Sequence, residues 1–248
     1  MSAEPHAAPP IPTSAGQQPP APEASGDAVP PAVIATILAT EHWSLLGTRG
    51  MLWNELMSRI SIHLTVSSAS LVVLALVAQA TGFGNGFWVM AIGLTSMLLV
   101  LGSLTLLRVS IGSEEDHLLI AGMNRLRGAY RDLVPGIEDV FVTSISDDRE
   151  GVFATSSVGR GRPIPLHAIS STVFFLTCFN AMVAGALAAL ITYVAGGPVL
   201  LIALVGSGAG AAYLVGNTVG AGMLFGRLGL GLGLGTSRSA LPEDDAAA

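Results

Sequence analysis

Four long apolar segments dominate the pattern of hydrophobic and polar positions along this chain. They cover residues 60–80, 87–107, 169–195 and 199–225, and none of them contains a charged side chain. A helix of about 20 apolar residues is long enough to cross the roughly 30 Å hydrocarbon layer of a bilayer. Because short glycine-containing turns join the segments in pairs, the pattern predicts an all-α polytopic membrane protein with transmembrane hairpins over residues 60–108 and 169–226.

A first amphipathic helix is predicted over residues 32–59. Its apolar positions, including Leu45 and Leu52, recur at helical spacing, and Glu55 and Arg59 occupy the other face four residues apart. We expect this helix to lie in the membrane interface, where an indole such as that of Trp43 can bury its ring and hydrate its N–H group.

A second amphipathic helix is predicted over residues 114–134, inside a cytoplasmic loop that spans 109–168. Ser113 is the expected N-cap, acidic residues follow it, and Pro135 ends the pattern. We expect its apolar stripe to pack against the first amphipathic helix, near Leu45 and Leu52. Residues 145–165 are expected to form a loop.

Both ends of the chain have compositions typical of disorder. Residues 1–31 hold nine of the 14 prolines and almost no large apolar side chains, which predicts a disordered Pro-rich tail. Residues 227–248 combine a Leu-Gly stretch with an acidic end, and we expect a second disordered tail there.

The basic residues indicate how the chain is oriented. All 11 are arginines, and each lies before the first, after the second, before the third or after the fourth apolar segment, while the two short turns carry no charge. This asymmetry follows the positive-inside rule and predicts a multi-pass protein of the plasma (inner) membrane with both termini cytoplasmic. The first 31 and the last six residues hold the whole net charge of −6, so no basic surplus points to a nucleic-acid partner.

Polar side chains within the apolar segments are the first candidate site residues. Asn180, Asn217 and Tyr213 lie at membrane depth, and we expect each amide to hydrogen-bond a neighbouring helix; lining of a polar cavity is the alternative. His63 lies three residues into the first segment, where the interface is its expected location and a pH-sensitive gate is the alternative.

Small residues and exposed arginines are the second set of candidates. Small residues recur at four-residue spacing in the last two segments, which permits close packing of these two helices or, alternatively, self-association through the fourth. The glycines among them are Gly185, Gly206, Gly210, Gly216 and Gly220. Arg160 and Arg162 are expected to contact anionic lipid headgroups. Arg49 is expected to snorkel, or to pair with a loop carboxylate or a lipid phosphate.

Nothing in the sequence predicts catalysis, a cofactor or a metal. Cys178 is the single cysteine, and no glycine-rich phosphate loop is present. Asp147, Asp148 and Glu150 lack the spacing of a calcium loop and are expected to be solvated. The lipid bilayer is therefore the partner that the sequence predicts most directly.

One part of the chain resembles a known group of proteins. The stretch from Glu41-His-Trp-Ser-Leu-Leu through Trp53-Asn-Glu, then Gln79-Ala-Thr-Gly-Phe-Gly and Gly122-Met-Asn-Arg-Leu-Arg, is similar to uncharacterised integral membrane proteins of actinobacterial type. The resemblance covers residues 41–150 and implies a membrane location but no activity. In layout alone, the chain also resembles two-span membrane effector proteins, which implies pore formation as one option.

The sequence favours a non-catalytic function. The sequence has many helix-packing residues but no recognisable catalytic, cofactor or metal motif. This combination is typical of a scaffold or regulatory subunit that binds a membrane or cytoplasmic protein. The alternative is a small homo-oligomeric channel whose central path is lined by Asn180, Thr177 and Ser70.

Overall fold

The computed structural model describes residues 29–157 and 169–231, and all regular structure in these ranges is helical. The α-helices are α1 (Pro31–Thr81), α2 (Asn85–Leu133), α3 (Arg149–Ser156), α4 (Thr172–Val194) and α5 (Val199–Gly231). A 3-10 helix, Ile137–Val140, lies between α2 and α3. Four helices, α1, α2, α4 and α5, are long and apolar enough to cross a membrane, which confirms the predicted all-helical architecture with four candidate spans.

The first amphipathic helix and the first apolar segment form one continuous helix. The sequence predicted a boundary near residue 59, but α1 runs unbroken for 51 residues, about 75 Å at 1.5 Å per residue. Its buried stripe continues in register through Leu52, Leu56 and Ile60, so no change of helix direction is needed at that point. This helix is more than twice as long as the hydrocarbon layer of a bilayer is thick.

The second apolar segment and the loop helix are likewise continuous. Ser113 is not an N-cap, because α2 passes through it and its hydroxyl donates to the Val109 carbonyl at 3.0 Å. The end of this helix lies one residue from the predicted end at 134, since α2 ends at Leu133. The predicted loop over 145–165 contains a helix, α3, whose N-cap Asp148 accepts a hydrogen bond from the Gly151 N–H at 2.6 Å.

Helices α1 and α2 lie antiparallel on either side of a short turn. Gly82 in this turn has a positive φ of 61°, which favours glycine. Leu56 packs against Gly112, and Leu45 approaches Gly122 farther from the turn. The parts of the two helices beyond the apolar segments, residues 31–59 and 108–133, are called the stalk below. Leu45 of the stalk packs against a cluster formed by Ile120 and Met123 of α2 and Val152 of α3.

Helices α4 and α5 also lie antiparallel and contact each other closely. The turn between them contains Gly196, with a φ of 79°. The ring of Tyr193, beside this turn, lies 4.6 Å from the ring of Trp88, which is near the turn between α1 and α2. The two turns are therefore at the same end of the molecule.

Within the four apolar segments, several polar side chains are buried and many large apolar side chains are exposed. The buried stripe of α1 changes from leucine and isoleucine to His63, Ser67 and Ser70 where the apolar segment begins. The outer faces of the helices expose large apolar side chains, including Leu71, Leu76, Val100, Met182 and Leu200. An outer surface of this kind is expected of helices surrounded by lipid rather than water.

The two predicted tails lie largely outside the described residues. Pro31 is not part of a tail, because it is the first residue of α1, where proline is well tolerated. Helix α5 continues to Gly231, five residues into the predicted C-terminal tail. Residues 1–28 and 232–248 are outside the described residues.

Candidate functional site

A buried polar cluster lies where α1, α2 and α4 meet. His63 on α1 and Asn180 on α4 are both 0% exposed. They meet beside Gly102 of α2: a Cβ atom added to this glycine would lie 2.8 Å from the His63 Cε1 atom and 2.8 Å from the Asn180 Cγ atom. We call His63, Gly102 and Asn180 the polar cluster. Only glycine at position 102 permits this approach, because any side chain there would overlap both neighbours.

The polar cluster contains hydrogen-bonding atoms that have no partner. Both ring nitrogens of His63 and both polar side-chain atoms of Asn180 are buried without a hydrogen bond among the described residues. The His63 ring packs edge-on against the ring of Phe179, with centroids 5.3 Å apart. The ring of His63 lies between helices with no exposed surface. Its expected location at the membrane interface stays a prediction.

The other two predicted polar residues are placed differently from Asn180. Tyr213 of α5 shares a hydrogen bond of 2.9 Å with the Ser103 hydroxyl of α2, next to Gly102. Asn217, which was expected to bond a neighbouring helix, instead donates to the Tyr213 carbonyl of its own helix at 2.9 Å. The structure thus brings Asn180 and Tyr213 to contacts between helices but leaves the described hydrogen bond of Asn217 within α5.

The predicted packing glycines fall into two groups. Gly185, Gly206 and Gly210 lie where the backbones of α4 and α5 approach each other. A Cβ atom added at Gly185 would be 2.8 Å from the carbonyl oxygen of Gly206, and one added at Gly206 would be 3.1 Å from the carbonyl oxygen of Gly185. A Cβ atom added at Gly210 would be 2.9 Å from the carbonyl oxygen of Ala181. Among the described residues, no atom lies within 4 Å of a Cβ atom added at Gly216 or Gly220. These last two glycines therefore take no part in the close approach between α4 and α5.

An ion pair in the stalk joins α1 to α2. Arg49 donates to both carboxylate oxygens of Asp116, at 2.6 and 3.1 Å, and the Trp53 indole N–H donates to the same carboxylate at 3.0 Å. Asp116 is almost fully buried, so these donors replace the water that its charge would otherwise require. The sequence predicted a loop carboxylate or a lipid phosphate as a partner of Arg49, and the structure shows that Arg49 pairs with the carboxylate of Asp116.

A second ionic contact lies nearer the apolar segments. Glu55 of α1 accepts two hydrogen bonds from Arg108 of α2, at 3.1 and 2.9 Å, and one from Arg59 at 2.9 Å. Hydrogen bonds from Arg108 and Arg59 hold the pKa of the Glu55 carboxyl below its usual value. Glu55 thus remains an anion between two arginines at the edge of the apolar region.

Asn124 is a structural residue that the sequence did not identify. It is fully buried, donates to the Ser146 carbonyl at 2.8 Å, and accepts from Arg127 and Thr155 at 2.7 and 3.0 Å. These bonds hold α3 and the preceding loop against α2. The sequence signal for α3 was Asp148, an N-cap residue followed by Glu150 in the first turn.

The remaining candidates concern ions and lipids. Asp147 pairs with Arg125 at 2.9 Å, and Asp148 caps α3. Among the residues that the structure describes, no group of three or more potential metal ligands comes together. Arg160 and Arg162, the predicted lipid-headgroup contacts, lie outside the described residues.

The polar cluster therefore presents buried hydrogen-bonding groups in an apolar setting. Comparison with protein-family models, with curated proteins and with solved structures finds no match to this chain.

Proposed function

We propose that this protein is a four-span protein of the plasma membrane that acts as a non-catalytic scaffold or regulatory subunit through its cytoplasmic stalk. In this proposal, the apolar parts of α1, α2, α4 and α5 cross the bilayer as two hairpins. The stalk and both termini lie in the cytoplasm. The observation that carries the proposal is the continuity of α1 and α2, which extends two paired helices by some 25 residues beyond the apolar region.

The distribution of side chains supports the membrane location. The exposed faces of the four helices are apolar, whereas His63, Ser67 and Ser70 face inward. In water, exposed apolar surfaces of this kind would promote aggregation. In a bilayer, the same side chains contact lipid tails, which are also apolar.

Aromatic and basic residues support the orientation. Phe83, Phe87, Trp88 and Tyr193 surround the two uncharged turns, as expected for an aromatic belt at one interface. The arginines of the stalk lie at the opposite end of α1 and α2. The positive-inside rule then assigns the stalk to the cytoplasm.

The stalk offers a surface for a protein partner. The ion pairs of Asp116 and Glu55 fix α1 against α2, so the stalk is a rigid extension of the spans. Its α1 helix exposes Ile37, Trp43 and Met51, and Trp43 is 72% exposed. Large apolar side chains on a surface outside the membrane are typical of a protein-binding face, and tryptophan is enriched among residues that dominate binding energy.

Site-specific crosslinking in cells tests the scaffold proposal. A photoreactive amino acid at Trp43 is expected to give a discrete crosslinked species of higher mass, identified by mass spectrometry. The same amino acid at Asp132, an exposed polar position of α2, is the matched control and should give none. Crosslinking to lipid alone at Trp43, or equal products at both positions, would contradict the proposal.

The channel is a weaker candidate for a structural reason. Asn180, Thr177 and Ser70, the predicted lining residues, are all buried within one chain. A path lined by them would run inside a single molecule rather than between copies. Purified protein in a planar bilayer distinguishes the candidates: a conductance removed by Asn180→Leu supports a channel, and a silent bilayer supports the scaffold.

A further inference from the structure

The polar cluster has more hydrogen-bonding groups than its two side chains can satisfy together. A neutral imidazole has one donor and one acceptor nitrogen, and an amide has two donors and one acceptor. A direct bond between His63 and Asn180 would use one nitrogen of the ring and one atom of the amide. At least one ring nitrogen and one amide atom would still be buried without a partner, and each such atom destabilises the folded protein because its hydrogen bonds to water are lost.

The neighbouring hydroxyl groups do not supply the missing donors. Ser67 donates to the His63 carbonyl at 2.8 Å, Thr177 to the Val173 carbonyl at 2.7 Å, and Thr105 to the Leu101 carbonyl at 2.8 Å. All three are buried and lie about one helical turn or less along their helices from a member of the polar cluster. Their oxygen lone pairs remain available as acceptors.

Charge and space restrict what the missing partner can be. Helix α4 has no charged residue between 172 and 194, and the first charge on α2 after Gly102 is Arg108, six residues away. On α1, the nearest carboxylate before His63 is Glu55, eight residues away, and it is already paired with Arg59 and Arg108. Among the described residues, a cation at the polar cluster would therefore have no free carboxylate beside it. His63 and Asn180 are both 0% exposed and lie against Gly102, so a ligand between them must be small.

We propose that the polar cluster binds one buried water molecule, which bridges His63 of α1 and Asn180 of α4. Water is the smallest species that both donates and accepts, and buried waters make about three hydrogen bonds to groups that would otherwise be unsatisfied. The bridge connects α1 to α4, and thereby joins the α1/α2 pair to the α4/α5 pair within the apolar region. This inference does not depend on the scaffold function.

Solid-state NMR of the full chain in lipid bilayers tests the inference. Magnetisation transferred from water should reach the ring nitrogens of His63 and the side-chain amide of Asn180 at short mixing times. The methyl groups of Leu176, which is 0% exposed and lies in the apolar core, provide the dry reference within the same molecule. Signals from His63 are assigned by their absence in His63→Phe.

The wild-type measurement decides the question even if variants fold poorly. Early transfer to His63 and Asn180 but not to Leu176, together with loss of the His63 transfer in Asn180→Leu, is the expected result. Transfer to the polar cluster as slow as that to Leu176 would overturn the inference, because the cluster would then be dry.

Discussion

Gly102 is a residue at which even the smallest side chain should destabilise the protein. Gly102→Ala places a methyl group against His63 and Asn180. Because overpacking typically destabilises by about 1–3 kcal/mol, we expect the free energy of unfolding in mild detergent to fall by that amount. Thermal or denaturant unfolding of the purified protein measures it.

Gly93→Ala is the matched control on the same helix. Gly93 has nothing within 4 Å of an added Cβ, so the alanine should be neutral or stabilise the helix by up to about 1 kcal/mol. If Gly102→Ala were as stable as Gly93→Ala, the described approach of α1, α2 and α4 would be wrong.

Asp116 should contribute more to stability than any exposed carboxylate of the stalk. Asp116→Asn removes the charge that accepts three hydrogen bonds from Arg49 and Trp53, and we expect a loss of about 1–3 kcal/mol. Asp132→Asn breaks a solvent-exposed contact with Arg131 and should change stability by less than about 0.5 kcal/mol. Equal effects in urea unfolding would show that the Arg49 pair is not important.

The sequence identified only part of the polar cluster. Asn180 is conspicuous because an amide in an apolar segment needs a partner. Its proximity to His63 depends on the register between α1 and α4, which apolar periodicity leaves undetermined. Gly102 had no distinguishing signal, since a single glycine in an apolar segment is common.

At the scale of the elements, the sequence predicted most helical positions but not their continuity. Ser113 with its acidic neighbours satisfies the pattern of an N-cap, yet a serine within a helix can also bond back to the carbonyl four residues earlier, as it does here. The signal for continuity was the lack of any proline between Pro31 and Pro135, which leaves the glycine-rich turn at 82–84 as the break.

The glycines of α5 allow two kinds of helix contact to be separated. Gly210→Leu should push α4 from α5, because the added side chain meets the Ala181 carbonyl, and we expect a lower unfolding temperature. Gly208→Leu, with open space around it, is the control and should leave the unfolding temperature nearly unchanged. An unaltered unfolding temperature in Gly210→Leu would contradict the described packing.

Gly220→Leu, by contrast, tests self-association. Within the part of the chain that the structure describes, nothing lies within 4 Å of an added Cβ at Gly220. A change in oligomeric state without a change in unfolding temperature would indicate a contact between copies, whereas no change in either would assign α5 packing to α4 alone. Light scattering in detergent measures the oligomeric state.

For the whole molecule, the order of apolar and charged residues was enough to predict four apolar helices, because an uncharged apolar segment of about 20 residues matches the thickness of a bilayer. It was not enough to predict how the two helices of the stalk pair. The ion pairs that fix this pairing join residues 53 and 67 positions apart, and local patterns do not reveal such contacts.

Thiol labelling of intact cells tests whether the first turn and the stalk lie on opposite sides of the membrane, with the stalk in the cytoplasm. In a Cys178→Ala background, one variant carries Gly84→Cys in the first turn and a second carries Thr40→Cys on the stalk; both positions are exposed. A membrane-impermeant maleimide should label the first variant in intact cells and the second only after permeabilisation. Labelling of the stalk variant in intact cells, with the turn variant protected, would contradict the account.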